Sequence, residues 1–336
     1  MHKCYIDLLV CPICHGKLEW HINEENEERI INAKAVCRSC NEKYEVRDEI
    51  AACLTSALSR NDLWEQSKGG LEKYLDENHD VYVKLMNTPE EELSGADYWF
   101  KAAYYEMKKD FKNSSMMFEH AAEKIYTKDY INGWESQMNY IINNVPNRNV
   151  PVVDIASGRG YLVEKLLSQT GNYIIATDFS PTVLIRNKEY YKFKGLYDRL
   201  SLIAFDARMT PFKDNSIEFI TSNLGIQNIE QPGKVIDEMY RICKSKFLSV
   251  MQFINKDDKV HMDLISKFGS TAYATRDNAF ETFKNSGWMV DIANSYIARI
   301  KPTPKGSILS GGEIDGFPIE DTNVEYGVIA ASKKQI

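Results

Sequence analysis

No stretch of eighteen consecutive apolar residues occurs in these 336 residues, so no membrane-spanning helix is expected. The opening residues Met1-His2-Lys3-Cys4-Tyr5-Ile6-Asp7 lack a basic segment leading into an apolar one. No secretory signal is expected there, and the cytoplasm is the expected location. Basic charge is not in excess. The 41 Lys and Arg against 48 Asp and Glu give a formal charge of −7, which excludes a chain-wide pull on nucleic acid, though not a local basic face. Without a secretory signal, the seven cysteines read as metal ligands or buried thiols, not as a disulfide framework.

What is present centres on Pro151 to Gly160, PVVDIASGRG. Val152, Val153 and Ile155 form a short apolar run, rich in β-branched residues, ending in Ala156-Ser157-Gly158-Arg159-Gly160. Tyr161 to Leu167 then takes up helical spacing, so the pattern is strand, glycine turn, helix. Such a turn brings backbone N–H groups close to a ligand, and the helix start adds partial positive charge. A dinucleotide fingerprint needs a third glycine, and Val163 stands in its place. Asp154 precedes the turn. Two further apolar strands end in acids: Ile174 to Asp178, at the distance where a ribose diol is gripped, and Leu202 to Asp206-Ala207. An NAD-type site or an unliganded α/β sheet are the competing readings.

This D-x-A-S-G-x-G, D, D-A series resembles the class I S-adenosylmethionine-dependent methyltransferases over roughly residues 130–335. The resemblance implies a Rossmann-like doubly wound α/β sheet with S-adenosylmethionine as cofactor. It implies that the turn at Ala156, Ser157, Gly158 and Gly160 wraps the methionine part, with the Asp154 carboxylate nearby. Asp178, followed by Phe179, takes the ribose hydroxyls, and Asp206 with Ala207 holds the adenine edge. Asn223, at the end of a fourth strand, joins the implied cofactor set. A cofactor without a pyrophosphate makes the third glycine dispensable, and its ammonium and sulfonium suit nearby carboxylates.

Cys11-Pro12-Ile13-Cys14 and Cys37-Arg38-Ser39-Cys40 are two CxxC knuckles, the spacing of a closed Cys4 zinc site. Four sulfurs leave no open position, so a zinc ion there is expected to be structural, and His15 and His21 are expected on the surface. Residues Leu8 to Glu19, Cys37 to Cys40 and Tyr44 to Ile50 resemble the small zinc-ribbon proteins that activate tRNA and translation-factor methyltransferases as separate partners. A looser similarity links the chain to zinc-bearing rRNA guanine methyltransferases, which commonly carry histidine where Cys40 stands. Fused in cis, such a ribbon either recognises substrate or buttresses the catalytic domain.

The expected domains are a ribbon over 1–60, a helical linker or lid over 61–147 and the cofactor-binding domain over 148–336. Glu24 to Arg29 reads as a solvated loop or hairpin tip. Thr88-Pro89-Glu90-Glu91 predicts a helix start with Thr88 as cap, and Asn113-Ser114 predicts another. The aromatic and Met stripe around Tyr98, Ala102 and Tyr105 reads either as core or as the wall of a substrate lid. Asn143 to Asn149 is a polar linker. Ile236 to Cys243 predicts a helix, Phe247 to Met251 a fifth strand, and Trp288 to Val290 and Tyr326 to Ala331 the closing strands. The insertion containing Gly306, Gly311, Gly312 and Gly316 is long enough to complete a pocket or meet a second subunit. Asn223-Leu224-Gly225-Ile226 lacks the Asn/Asp-Pro-Pro-aromatic series of exocyclic amine methylation, and Gln227 or Asn228 stands where it could orient a substrate. No general base is marked among His79, His120 and His261. Two acceptor classes follow: a small molecule or peptide, or rRNA or tRNA read by the ribbon.

Overall fold

The computed structural model describes residues 1–334 except 60, 68, 147–149, 268, 270 and 310–313. The linker residues Asn147-Arg148-Asn149 and the insertion's Gly311-Gly312-Glu313 lie outside the described residues. Two compact units emerge: Met1–Asp62 with Ser136–Ser295 and Tyr326–Ile336, and Leu63–Glu135 with Tyr296–Glu325.

The first unit begins with β1 (Leu18–Glu25), β2 (Ile30–Cys37), β3 (Lys43–Arg47) and β4 (Ile50–Ala52). They pair antiparallel in chain order. Six helices follow: α1 (Leu63–Ser67), α2 (Gly70–Glu77), α3 (His79–Asn87), α4 (Gly95–Met107), α5 (Phe111–Ile125) and α6 (Lys128–Asn144). The α/β alternation then runs β5 (Val152–Asp154), α7 (Tyr161–Gln169), β6 (Ile174–Asp178), α8 (Pro181–Phe193), β7 (Leu200–Ala204), β8 (Ile217–Asn223), α9 (Pro232–Ile242) and β9 (Cys243–Ile254). It closes with α10 (Lys259–Lys267), α11 (Arg276–Asn285), β10 (Met289–Ile300) and β11 (Thr322–Ser332).

All these strands join one sheet in the order β1-β2-β3-β4-β7-β6-β5-β8-β9-β11-β10. Counted from β5, the last seven read 3-2-1-4-5-7-6. This is the doubly wound α/β sheet that the sequence predicts. β5 pairs parallel with β6 on one side and β8 on the other. The chain reverses direction across the sheet at that point, and ligands of such sheets bind outside the carboxyl ends there. Near-continuous burial of β5, β6 and β7 explains their unbroken apolar runs, since helices cover both faces.

The cysteine module is continuous with this sheet. β4 lies parallel to β7, with Ile50, Ala51 and Ala52 opposite Leu202, Ile203 and Ala204. The Cys53 amide extends the ladder to the Ala204 carbonyl at 2.7 Å. Arg29 corrects the solvated reading of the charge run. It is 6 % exposed, and its Nη2 donates to the carbonyls of Tyr197, Asp198 and Leu200. Its guanidinium also lies 4.4 Å from the Tyr197 ring centre. Glu24 to Glu28 keep the exposed hairpin tip.

Other local expectations shift. α4 is capped by Ser94, whose Oγ accepts the Asp97 amide, whereas Glu90–Glu92 makes only a short 3-10 turn. Thr88 instead donates its hydroxyl to the Lys84 carbonyl at the end of α3. α5 is capped by Asp110, three residues before the predicted start, because its carboxylate accepts the Asn113 amide. Cys243 opens β9 and does not end α9; it is fully buried, as a structural thiol should be. In the second unit the aromatic stripe is core: Tyr98, Ala102, Met117 and Ala121 pack together, with Tyr105 against them. Buried Asp97 accepts hydrogen bonds from Ser307 and Ile308 of the glycine-rich insertion.

Candidate functional site

The turn after β5 is built from both sides. Ala156, Gly158 and Gly160 all have positive φ, at 51°, 52° and 82°. Gly160 permits no side chain, because a Cβ there would lie 2.2 Å from the Tyr191 hydroxyl, which donates to the Gly160 carbonyl. Gly158 is different: a Cβ would meet nothing within 4 Å, so its constraint is the backbone angle and the open space in front of it. Asn187 on α8 donates to the Gly158 carbonyl at 2.8 Å. From the other side, Gly225 follows β8, and a Cβ there would lie 2.4 Å from the Ala156 carbonyl oxygen.

Three acids stand at the carboxyl ends of β5, β6 and β7. Asp178 is 8 % exposed and holds the turn directly. Its Oδ2 accepts the Gly158 amide at 2.9 Å and its Oδ1 accepts the Ser180 amide at 3.0 Å. Burial raises its pKa, those amides lower it, and the nearby charge of Asp62 raises it again. Phe179 links Asp178 to α8. Asp206 is 5 % exposed, with Ala207 buried beside it. Ser157 ties β5 to β6, donating its amide to the Thr177 carbonyl and its hydroxyl to the Asp154 carbonyl. Asn223 ends β8, and its side chain points to the Met138 sulfur at 3.8 Å.

Asp154 lies deepest, 1 % exposed, with Thr221 Oγ1 donating to its carboxylate at 2.7 Å. Burial raises it to about 7, against the hydrogen bonds from Thr221 and Ser157 and with help from the Asp178 charge. An acid whose folded pKa lies above its unfolded one keeps its proton longer in the folded state. Its contribution to stability is complete below about pH 4, the unfolded value, and is lost as pH rises towards 7. Asp154→Asn should remove that loss. In thermal melts it is expected to gain about 5 °C on the wild type between about pH 5 and about pH 8. Parallel melting curves would mean that Asp154 does not carry this proton.

The second constellation is the four cysteines. The sulfurs of Cys11, Cys14, Cys37 and Cys40 all lie within 4.8 Å of one another. Cys11 and Cys40 are 3.6 Å apart, and Cys14 and Cys37 are 3.4 Å apart. Sulfurs about 2.3 Å from a tetrahedral zinc stand about 3.8 Å from each other, so the donor set fits that ion. The two knuckles repeat one backbone design. His15 and Asn41 each follow the second cysteine in left-handed geometry, φ 55° and 62°. Their amides donate to the Cys11 and Cys37 carbonyls. Gly16 is obligatory, since a Cβ would lie 2.5 Å from Ser39 Oγ. His15 and His21 are exposed.

Several residues escaped the sequence reading. Thr221, Asn187 and Tyr191 fix the turn but carry no motif. Arg208, two residues past Asp206, grips its carboxylate; its place in D-A-R was the available signal. Gln227 is committed elsewhere: its amide exchanges hydrogen bonds with the backbone of Gln252, both at 2.9 Å. Exposed Asn228 donates its side-chain amide to the Leu224 carbonyl at 3.3 Å. Of the histidines, His261 is buried with Nδ1 2.7 Å from Asp258, while His79 stacks on Tyr82 and His120 meets Tyr98 edge-on.

The strand order from β5 onward, with the glycine turn at its switch point, is that of a doubly wound α/β sheet, and residues 153–247 match the methyltransferase domain family. Its relatives include the ubiquinone/menaquinone biosynthesis C-methyltransferase UbiE of Rickettsia akari, 29% identical over 166 residues, 45% of this chain and 64% of that protein. UbiE of Rickettsia prowazekii is 32% identical over 108 residues, 31% of this chain and 44% of the relative. The chain thus spans less than two thirds of these relatives. The Bacillus subtilis YcgJ protein superposes with a TM-score of 0.49 at 14% identity, covering 60% of this chain and all of that one. Among the described residues, no helix is long and apolar enough to cross a membrane.

Proposed function

We propose that the protein transfers the methyl group of S-adenosylmethionine to a small organic acceptor, and that Cys11, Cys14, Cys37 and Cys40 hold a structural zinc ion. The observation that carries the first part is the hydrogen bond from the Gly158 amide to Asp178, which locks an open glycine turn to an acid at the next strand end. S-adenosylmethionine, a nucleoside sulfonium, has a diol for that acid and an amino-acid end for the turn. Bound there, the cofactor supplies an electrophilic sulfonium methyl. Asp178 takes the ribose hydroxyls, and Asp206 with the Ala207 backbone takes the adenine edge. The open space in front of Gly158, where no Cβ intrudes, receives the methionine end. Asp154 works from beneath, through its carbonyl and Thr221, to hold the turn in shape. Alignment of donor and acceptor is the main catalytic task in such a displacement.

Charge favours a small acceptor over RNA. Residues 1–58 hold seven Lys and Arg against ten Asp and Glu, a poor surface for a phosphate backbone. The relatives named for C-methylation in quinone biosynthesis make a carbon acceptor the leading candidate. The ribbon over 1–60, the helical segment over 61–147 and the cofactor-binding domain over 148–336 are kept as proposed functional modules, with the ribbon sharing its sheet with the cofactor domain.

Purified protein given labelled S-adenosylmethionine and cell extract is expected to put label into the small-molecule fraction. Nuclease-sensitive label in the RNA fraction would overturn the acceptor class. Failure of S-adenosylhomocysteine to bind in calorimetry would overturn the cofactor as well.

A further inference from the structure

Arg208 meets Asp206 side-on. Its Nε donates to Oδ1 at 2.9 Å and its Nη2 to Oδ2 at 2.7 Å. The Arg208 amide also donates to Oδ1 at 2.9 Å. Nη2 turns a second proton to the Ser59 carbonyl at 3.1 Å, so the guanidinium is held from two directions. Both side chains are nearly buried, 5 % and 6 % exposed, unlike a surface ion pair. Arg208 Nη1 is buried and makes no hydrogen bond among the described residues; Glu230 lies 3.8 Å away, itself mostly exposed.

An ionised carboxylate offers about four acceptor sites. Three are spent here, two on Oδ1 and one on Oδ2. The remaining site is on Oδ2, and the bidentate grip fixes its direction. A carboxylate so held is an acceptor only. An exocyclic amino group matches the remaining site, and a keto oxygen meets it lone pair to lone pair. The unspent Nη1 still has its two N–H groups, one of which can meet a ring nitrogen.

We propose that Arg208 is the positioning residue that sets base specificity: by fixing Asp206 as an acceptor it selects an aminopurine nucleoside over a ketopurine one. This rests on the assignment of Asp206 to the adenine edge. The loss of a matched polar partner in a built site is the kind of difference that discriminates strongly between analogues.

The test is calorimetric binding of S-adenosylhomocysteine and S-inosylhomocysteine to the full chain. The wild type is expected to prefer the adenine compound by about 100-fold or more. Arg208→Gln should weaken that compound about ten-fold and shrink the preference to within about ten-fold. A variant that kept the wild-type preference would overturn the role of Arg208 and leave the cofactor reading standing. If neither compound bound the wild type, the cofactor reading would fall and this proposal with it. A generally weakened fold lowers both affinities together and leaves their ratio alone. Should Arg208→Gln melt below assay temperature, Arg208→Lys decides. It keeps the charge without the bidentate fork, and a preference reduced at least about ten-fold supports the proposal while an unchanged one refutes it.

Discussion

Asp178→Ala is expected to weaken S-adenosylhomocysteine at least about 100-fold while the protein stays folded. Two hydrogen bonds from ribose hydroxyls to one carboxylate contribute roughly 1.5–3 kcal/mol each, which converts to two or more decades of affinity. The fold should survive because the carboxylate is costly where it sits. Burial raises its pKa, and the amides of Gly158 and Ser180 only offset that cost. Removing it frees two amides but also removes a buried charge near Asp62. Calorimetry with circular dichroism on the same sample separates the two effects. Affinity within about five-fold of wild type would put the nucleoside elsewhere.

The second large effect is expected at the other end of the sheet. Cys37→Ser should release the metal, read by mass spectrometry under non-denaturing conditions, and lower the melting temperature of the first unit by about 10 °C or more. Structural zinc sites contribute roughly 10–16 kcal/mol to the folding of small domains, and a domain of this size loses about 2–4 °C per kcal/mol. The loss should reach the catalytic strands, because β4 is a strand of the same sheet as β7. Arg29 further ties the hairpin to the carbonyls of Tyr197, Asp198 and Leu200. A single cooperative transition is expected. Two separated transitions would describe a ribbon that folds alone, and unchanged metal content would refute the Cys4 site.

The features legible in the sequence were those written in neighbouring residues. The glycine turn, the acids at strand ends and the paired CxxC knuckles each depend on local spacing that physics constrains tightly. What the sequence hid depends on partners far along the chain. Ile50-Ala51-Ala52 is too short to show a period, and nothing nearby announces that β7 completes its ladder. Arg29 sits in a run of acids that looks solvated, yet Tyr197 gives it an aromatic face. The Thr88-Pro89-Glu90-Glu91 signature was chemically sound and lost to Ser94, whose hydroxyl caps the longer and better-packed helix. Arg208 lay beside a recognised acid; its importance shows in its grip on both Asp206 oxygens and in its contact to Ser59, past the end of β4.

The pairing of β4 with β7 also sets a timetable. Ile50 leaves the ribosome well before its partner Leu202 is made. At about 5–20 residues per second, that interval is roughly 8–30 s. Closure of the ribbon around the proposed zinc can finish within it, and the finished hairpins then wait with one backbone edge open. Such an edge invites pairing with other chains. The protein's yield in the cell should therefore depend on how quickly translation delivers residues 200–204, and slowing synthesis between the ribbon and that strand should cost soluble product rather than specific activity.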